Sequence, residues 1–340
     1  MNIICDKTLL SAAIDGVSKA VTLRSTIPVL EGILLKAEGF QLTLTGYDLE
    51  MGIVTTIEAN VKEPGEIVLN AKLLSSMISR MPSGQITIQS ADNGKTTIQS
   101  GVAQFEIQSM SASDFPELPN TGAEETLTIK TGVLRDMIDR TLYAVSQDEK
   151  KPAHTGELFE IKNNCLKVVS LDGHRISIRK MPLKREYSDR KVVVPGKTLS
   201  EVSKILSGET EKDVSLFFTD NQVVFEFDQT TVVFRLIEGE YFRIDQMLSS
   251  DYETKVTINK RELLSCIDRA TLLVKEGDKK PIIMNVEDSN VNMRVKSAFG
   301  SMNANVPAHK SGKDIMIAFN PKFLLDALRV IDDEDVELYM

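Results

Sequence analysis

The segment SLDGHRIS, from Ser170, carries the spacing in this chain that most suggests chemistry. Asp172 stands two residues before His174, where a carboxylate could orient an imidazole as a general base. The same residues also read as a peptide groove. Gly173 would let a partner's backbone approach while His174, Arg175 and Ile176 line the wall. A DG turn at a strand end is the plain alternative. No nucleophile motif or glycine-rich phosphate loop stands elsewhere to complete an active site. Metal chemistry is equally unsupported, because a zinc site takes about four Cys or His ligands at close spacing. Cys5, Cys165 and Cys266 form no CxxC pair, and His154, His174 and His309 are scattered. The cysteines read as reduced, small buried residues. No metal and no cofactor are expected.

Basic residues form a second set: Arg24, Lys72, Arg80, Lys197 and Lys322 lie near predicted helices. A net charge of −9 argues against a protein that coats nucleic acid by electrostatics alone. It leaves room for a local basic surface on an acidic body. Asp15, Asp136, Asp139 and Asp268 share those helices, so an ordinary solvated face is the alternative reading.

The elements that must position these residues repeat three times. LLSAAIDGVSKAV from Leu9, VLRDMIDRTLYAV from Val133 and LLSCIDRATLLV from Leu263 share one amphipathic helical pattern. With Leu10, Leu134 and Leu263 in register, three further sets coincide: Ile14, Ile138 and Ile267; Asp15, Asp139 and Asp268; Val21, Val145 and Val274. A second helix recurs as NAKLLSSMISRMPSG, PGKTLSEVSKILSG and NPKFLLDALRVID. Its Lys72, Lys197 and Lys322 fall 125 residues apart. The first two copies are expected to end at Gly84 and Gly208. Alternating runs such as QLTLTG, CLKVVSLDG and VNMRVKS read as strands, and ITIQSADNGKTTIQS and VSLFFTDNQVVFEF as hairpins.

The pattern helix, strands, helix, strands predicts an α+β fold of three repeated two-layer domains. The expected boundaries are 1–122, 123–248 and 249–340. By internal comparison the third copy lacks its last strands, about 25–30 residues. Either the chain is a fragment, or the third copy is truncated and should be less stable; a strand edge would be exposed there. The composition, 42% hydrophobic and 26% charged with no Trp, is that of a globular chain with Leu, Ile, Val and Met cores. No apolar run reaches the roughly 18 residues of a membrane span, and MNIICDKTLL lacks signal-peptide character. A cytoplasmic location is expected.

A triplicated α+β unit in an acidic chain resembles the bacterial DNA sliding clamps, the β subunits of DNA polymerase III. RSTIPVLEGILL from Arg24, LTGYDLEM from Leu44, SDFPEL from Ser113, SLDGHRIS from Ser170 and IAFNPKFLLDAL from Ile317 carry the likeness together. The resemblance implies a head-to-tail homodimeric ring of six domains around double-stranded DNA, helices inside and sheets outside, without catalysis. It implies short linear peptides from the polymerase III catalytic subunit, the clamp loader, and other polymerases and repair proteins as groove partners.

It also implies residues. Arg24 and Arg80 match DNA-contacting positions, Lys197 a basic turn, and Lys150 and Lys151 in QDEKKPAH a loop facing DNA. The groove would take Leu171, Gly173, His174, Arg175, Ile176, Phe242, Met247, Asn320 and Phe323. Leu171 stands where a small or hydroxyl residue is usual, and Phe242 where the family has Pro. For the ring contact, Phe105 and Ile107 match one side and Leu272 and Leu273 the other; core packing is the alternative. A repeat scaffold that binds peptides without encircling DNA is the rival reading.

Overall fold

The computed structural model describes residues 1–22, 24–119, 125–206, 210–248, 251–274 and 281–340. Unit 1 runs β1 (Asn2–Asp6), α1 (Lys7–Val17), β2 (Gly32–Glu38), β3 (Gln41–Tyr47), β4 (Met51–Glu58), β5 (Asn60–Glu63), β6 (Gly65–Asn70), α2 (Ala71–Arg80), β7 (Gln85–Ser90), β8 (Lys95–Ser100) and β9 (Ala103–Gln108). Unit 2 repeats the order: β10 (Thr126–Lys130), α3 (Thr131–Asp139), β11 (Gly156–Lys162), β12 (Cys165–Leu171), β13 (Ile176–Pro182), β14 (Arg190–Pro195), α4 (Gly196–Ile205), β15 (Asp213–Phe218), β16 (Gln222–Phe227) and β17 (Thr230–Arg235). Unit 3 has β18 (Thr254–Asn259), α5 (Lys260–Thr271), β19 (Ile282–Val286), β20 (Asn290–Ser297), β21 (Gly300–Gly312), β22 (Ile315–Phe319), α6 (Pro321–Arg329) and β23 (Asp335–Tyr339). Three strands follow the second helix in units 1 and 2, and one follows it in unit 3.

The helices form where the apolar period is 3.6 and a side chain caps the first turn. Asp6, Asn70, Asn259 and Asn320 each accept from backbone N–H groups at the starts of α1, α2, α5 and α6. In each unit the first helix buries one stripe against the sheets: Leu10, Ala13, Ile14 and Val17 in α1, and Leu263, Cys266, Ile267 and Ala270 in α5. The helices end earlier than expected. α3 stops at Asp139 and a short 3-10 turn over Leu142–Ala144 follows, just as Ser18–Ala20 follows α1. α2 ends at Arg80 because Met81 turns to an extended conformation ahead of Pro82, leaving Gly84 beyond it. Gly208 lies outside the described residues. Cys165 is half-buried, whereas Cys5 and Cys266 are buried as expected.

Units 1 and 2 share one continuous sheet. Its order is β10-β15-β16-β17-β4-β3-β2-β6, so the last strand of unit 2 pairs with the fourth strand of unit 1. The ladder sets Thr230 opposite Thr55, Val232 opposite Ile53 and Phe234 opposite Met51. Their cores are correspondingly continuous, whereas unit 3 closes a core of its own around Val256, Ile267, Met284 and Met293.

One core position departs from the repeat. Ile33 and Ile282 are fully buried at equivalent points of β2 and β19, and unit 2 places Glu157 there, also fully buried. The Thr141 hydroxyl lies 2.9 Å from Glu157 Oε1 and 2.8 Å from the Met137 carbonyl. It has one hydrogen for two acceptors, so a protonated Glu157 that donates to Thr141 satisfies both. Burial, with the nearby Asp139 charge, pushes the Glu157 carboxyl well above its ordinary range, against the Thr141 hydrogen bond.

Because unit 3 has a separate core, built from fewer buried side chains than the core that units 1 and 2 share, it should unfold first. In native-state hydrogen exchange, amides of residues 254–339 should exchange through a lower-energy opening than those of units 1 and 2; one shared opening energy would contradict separate cores. Glu157 sets a pH dependence. Its folded pKa is raised, so the folded state keeps a proton that the unfolded chain releases above about pH 4.5. Stability should therefore fall as pH rises from there until the folded carboxyl also ionises. Glu157→Gln should lose this slope, which is about 1.4 kcal/mol per pH unit. Denaturant unfolding of both proteins at pH 5 and pH 8 measures the difference, and parallel pH profiles would refute it.

Candidate functional site

The SLDGHRIS segment runs from the end of β12 through a turn into β13. Asp172 organises that turn. Its Oδ1 accepts from the backbone N–H groups of His174 and Arg175 at 3.0 and 3.2 Å, and its Oδ2 accepts from Arg175 Nε at 2.9 Å. Gly173 takes φ +88° at the bend, a conformation side chains resist. The general-base reading fails on this geometry: the carboxylate serves the turn, and the His174 ring stacks on Phe323 with centroids 5.5 Å apart.

A groove lies beside the turn, on the outer face of unit 2. Leu158, Val169, Leu171, Val193 and Ile244 are buried in its floor, with Ile176, Ile178, Ile237 and Tyr241 packed against them. Residues 236–244 cross this face as a strap. The Ile237 N–H donates to the Val193 carbonyl at 2.9 Å, and the Tyr241 hydroxyl to the Val169 carbonyl at 3.2 Å. Beyond the strap's anchor Phe242 and Met247 turn outward, 52% and 55% exposed. Unit 3 supplies the opposite wall through Phe323 of α6. Asn320 is committed elsewhere, since its side chain accepts from the Lys322 N–H at 3.0 Å and caps α6. Leu171 belongs to the floor rather than the wall. A cleft of about 710 Å³ continues from Phe242 and Ile244 along Glu160, Lys167 and Lys191.

The basic candidates fall into two groups. Lys197 is the second residue of α4. It lines a cleft of about 810 Å³ between units 1 and 2, together with Lys19, Asp48, Gln147, Glu149 and Pro152. Lys150 and Lys151 sit on that same loop, with the Lys150 N–H bonded to Asp148. Arg80 closes α2 and Arg24 follows α1; they do not line this cleft. All five are exposed, and among the described residues none is held in an ion pair. Lys72 and Lys322 are exposed at the equivalent second positions of α2 and α6.

The apolar pairs stand at the two ends of the chain. Phe105 is 39% exposed and Ile107 half-buried on β9, an edge strand with β8 as its one neighbour among the described residues. Leu272, 83% exposed, and Leu273 follow α5 in unit 3. Several residues of these surfaces escaped the sequence reading. Val102 is fully exposed in the turn before β9, and Met302 and Phe299 lie on the unit 3 edge. Tyr241 and Ile244 stood in the same EYFRID string as Phe242, and aligning β21 with β4 would have found Met302.

Three copies of a two-helix unit, two of them joined sheet edge to sheet edge and one bearing an apolar groove on its outer wall, define a DNA clamp. Three family profiles match in turn: DNA polymerase III beta subunit, N-terminal domain, over residues 1–119; central domain, over 128–242; and C-terminal domain, over 245–340. The beta sliding clamp of Staphylococcus aureus is 32% identical over 330 residues, which is 94% of this chain and 87% of that protein. The crystal structure of a DNA polymerase III beta subunit from Eubacterium rectale superposes with TM-score 0.97 at 52% identity, covering 100% of this chain and 92% of that one. The Bacillus subtilis sliding clamp superposes with TM-score 0.96 at 29% identity, again covering 100% and 92%. The chain belongs to the DNA polymerase III beta subunit family. It is a processivity factor of DNA replication and not an enzyme, and no helix of the described residues is long and apolar enough to cross a membrane.

Proposed function

We propose that two copies of this chain close head to tail into a ring that encircles duplex DNA, slides on it, and tethers polymerase, clamp loader and repair proteins by short peptides seated in the unit 2 groove. The observation that carries the ring is the ladder between β17 and β4. It is the chain's own example of how one unit's last strand meets another unit's fourth strand. β9 is the last strand of unit 1, and the first half of β21 is the corresponding fourth strand of unit 3; each has one neighbour there among the described residues.

Transferring the β17·β4 register gives the contact residue by residue. Phe105 takes the place of Val232 and Met302 that of Ile53, so Phe105 of one copy faces Met302 of the other. Leu272 and Leu273 take the places of Lys19 and Ala20 beside it. Apolar pairs of this kind across an antiparallel ladder stabilise it by about 0.2–1 kcal/mol each.

A closed ring retains DNA by topology, so contacts inside it need only be weak. Arg24, Arg80, Lys150, Lys151 and Lys197 supply exposed positive charge for the phosphates, while the net charge of −9 keeps the rest of the surface from binding DNA. The groove takes an extended peptide by its apolar side chains, with Leu171 and Ile176 beneath and His174, Phe242, Met247 and Phe323 at the sides. We place the domain boundaries at 1–122, 123–248 and 249–340, and the work in the cytoplasm, where the bacterial chromosome is copied.

The pairing register is directly testable. With Phe105→Cys and Met302→Cys in one chain, oxidation should give covalent dimers, because opposed strand residues stand within disulfide reach. Phe105→Cys with Asn290→Cys should not. Oxidised around a nicked circular plasmid, the first variant should stay on the DNA at a salt concentration that strips uncrosslinked protein. It should then be lost when the plasmid is cut. Equal retention on circular and linear DNA would sink encirclement and favour a scaffold that binds peptides alone.

A further inference from the structure

Arg175 lies in the groove wall, yet its guanidinium has little left to offer a ligand. Nε donates to Asp172 at 2.9 Å, Nη1 to Asp326 Oδ2 at 2.7 Å, and Nη2 to the Tyr143 carbonyl at 2.8 Å. The guanidinium carbon lies 5.2 Å from the Tyr143 ring centre and 4.7 Å from that of Phe323. Side-chain exposure is 17% for Arg175 and 21% for Asp326. The partners come from three places: the groove turn, the segment after α3, and α6 of unit 3. Arg175 is thus a rivet between two units, and a planar, forked cation is the side chain suited to that.

This matters because of what joins the units. A strand ladder ties unit 1 to unit 2, but among the described residues no ladder crosses from unit 2 to unit 3. Two arginine ties cross instead. Arg140 donates to the Val330 carbonyl at 2.7 Å and pairs with Asp332. Arg175 pairs with Asp326, and that second tie stands inside the groove. The His174 stack on Phe323 crosses at the same point. Any change in the angle between units 2 and 3 therefore moves Phe323 and Asp326 against the DGHR turn.

We propose that Asp326 is a positioning residue of the peptide groove. By holding Arg175 across the junction it sets the groove wall, so that peptide affinity and the angle between units 2 and 3 form one coupled equilibrium. The proposal rests on the groove reading above. Coupling of this kind is reciprocal: a peptide that binds one angle better must narrow the distribution of angles.

The test uses the full chain and a fluorescein-labelled peptide from the clamp-binding segment of a DNA polymerase III catalytic subunit. Anisotropy should show Asp326→Asn binding about tenfold more weakly, within the range usual for such coupling. Asp326→Asn added to Arg175→Lys should cost little further, since the fork it served is gone. In a Cys165→Ser background, dyes at Asp220→Cys and Ser311→Cys report the inter-unit distance. That distance should broaden in Asp326→Asn and narrow again when unlabelled peptide saturates the groove, a recovery that a simple loss of stability would not give. Wild-type affinity and an unchanged distance distribution in Asp326→Asn would overturn the proposal while leaving the groove intact. If Phe242→Ala with Met247→Ala binds the peptide as the wild type does, the groove reading falls and the proposal with it. Should Asp326→Asn fail to fold, Arg175→Lys alone must show the same weakening and the same peptide-restored distance, or the coupling is refuted.

Discussion

An open sheet edge has to be paired, covered or blunted, and this constraint organises the whole molecule. Each unit ends in a strand whose backbone groups want a partner. The last strand of unit 2 finds it in β4, and the shared sheet and shared core of units 1 and 2 follow from that pairing. β9 ends unit 1 with no such partner in its own chain among the described residues. A head-to-tail contact with the open edge of unit 3 in a second copy supplies one, and when the rotation closes, the product is a ring. Closure in turn removes the need for adhesive contacts with DNA. A protein that must stay on its template and yet move along it gains both properties from one arrangement of edges.

The electrostatics fit that division of labour. Lys72, Lys197 and Lys322 each occupy the second position of a helix, where the helix dipole disfavours a cation. Stability alone does not explain a lysine at that point in three copies; an anion in front of the helix would. Asp15, Asp139 and Asp268 recur near the ends of the partner helices, so the positive charge stays local. Short-range, salt-screened attraction of this kind guides a phosphate backbone without fixing it.

The repeat was legible in the sequence because it rests on core periodicity, which burial imposes on every copy. The groove at His174, Ile176, Phe242, Met247 and Phe323 came instead from the resemblance to the sliding clamps, since no periodicity links those positions. What periodicity could not supply were pairings between residues far apart in the chain. Nothing local to Arg175 announces Asp326, 151 residues away, and nothing near Asp172 says that its carboxylate serves a turn rather than an imidazole. Helix ends were also misjudged, as at α2, where Met81 turns extended ahead of Pro82. Thr141 interrupts the apolar stripe of α3, and its reason appears only when β11 brings Glu157 beneath it.

The three outer faces explain why a repeated protein carries one groove per chain rather than three. Equivalent positions on the first two strands of each face are Leu34, Leu158 and Ile283; Thr45, Val169 and Arg294; and Tyr47, Leu171 and Lys296. Unit 1 sets Thr45 between Leu34 and Tyr47 there, and is closed. Its strap lays Met110, Phe115 and Leu118 over the face, and the Met110 N–H bonds the Val68 carbonyl just as Ile237 bonds Val193. Unit 3 is polar, with Asn292 bonded to Asn303 and Asn305 at 2.6 Å and to Arg294 beside them, so an apolar peptide would gain nothing there. Unit 2 alone keeps an apolar floor while its strap turns Phe242 and Met247 outward, and unit 3 stands close enough to add Phe323 as a wall. Duplication supplied the scaffold three times. Divergence of a few residues on one face, with a neighbouring unit at the right distance, made one copy a binding site.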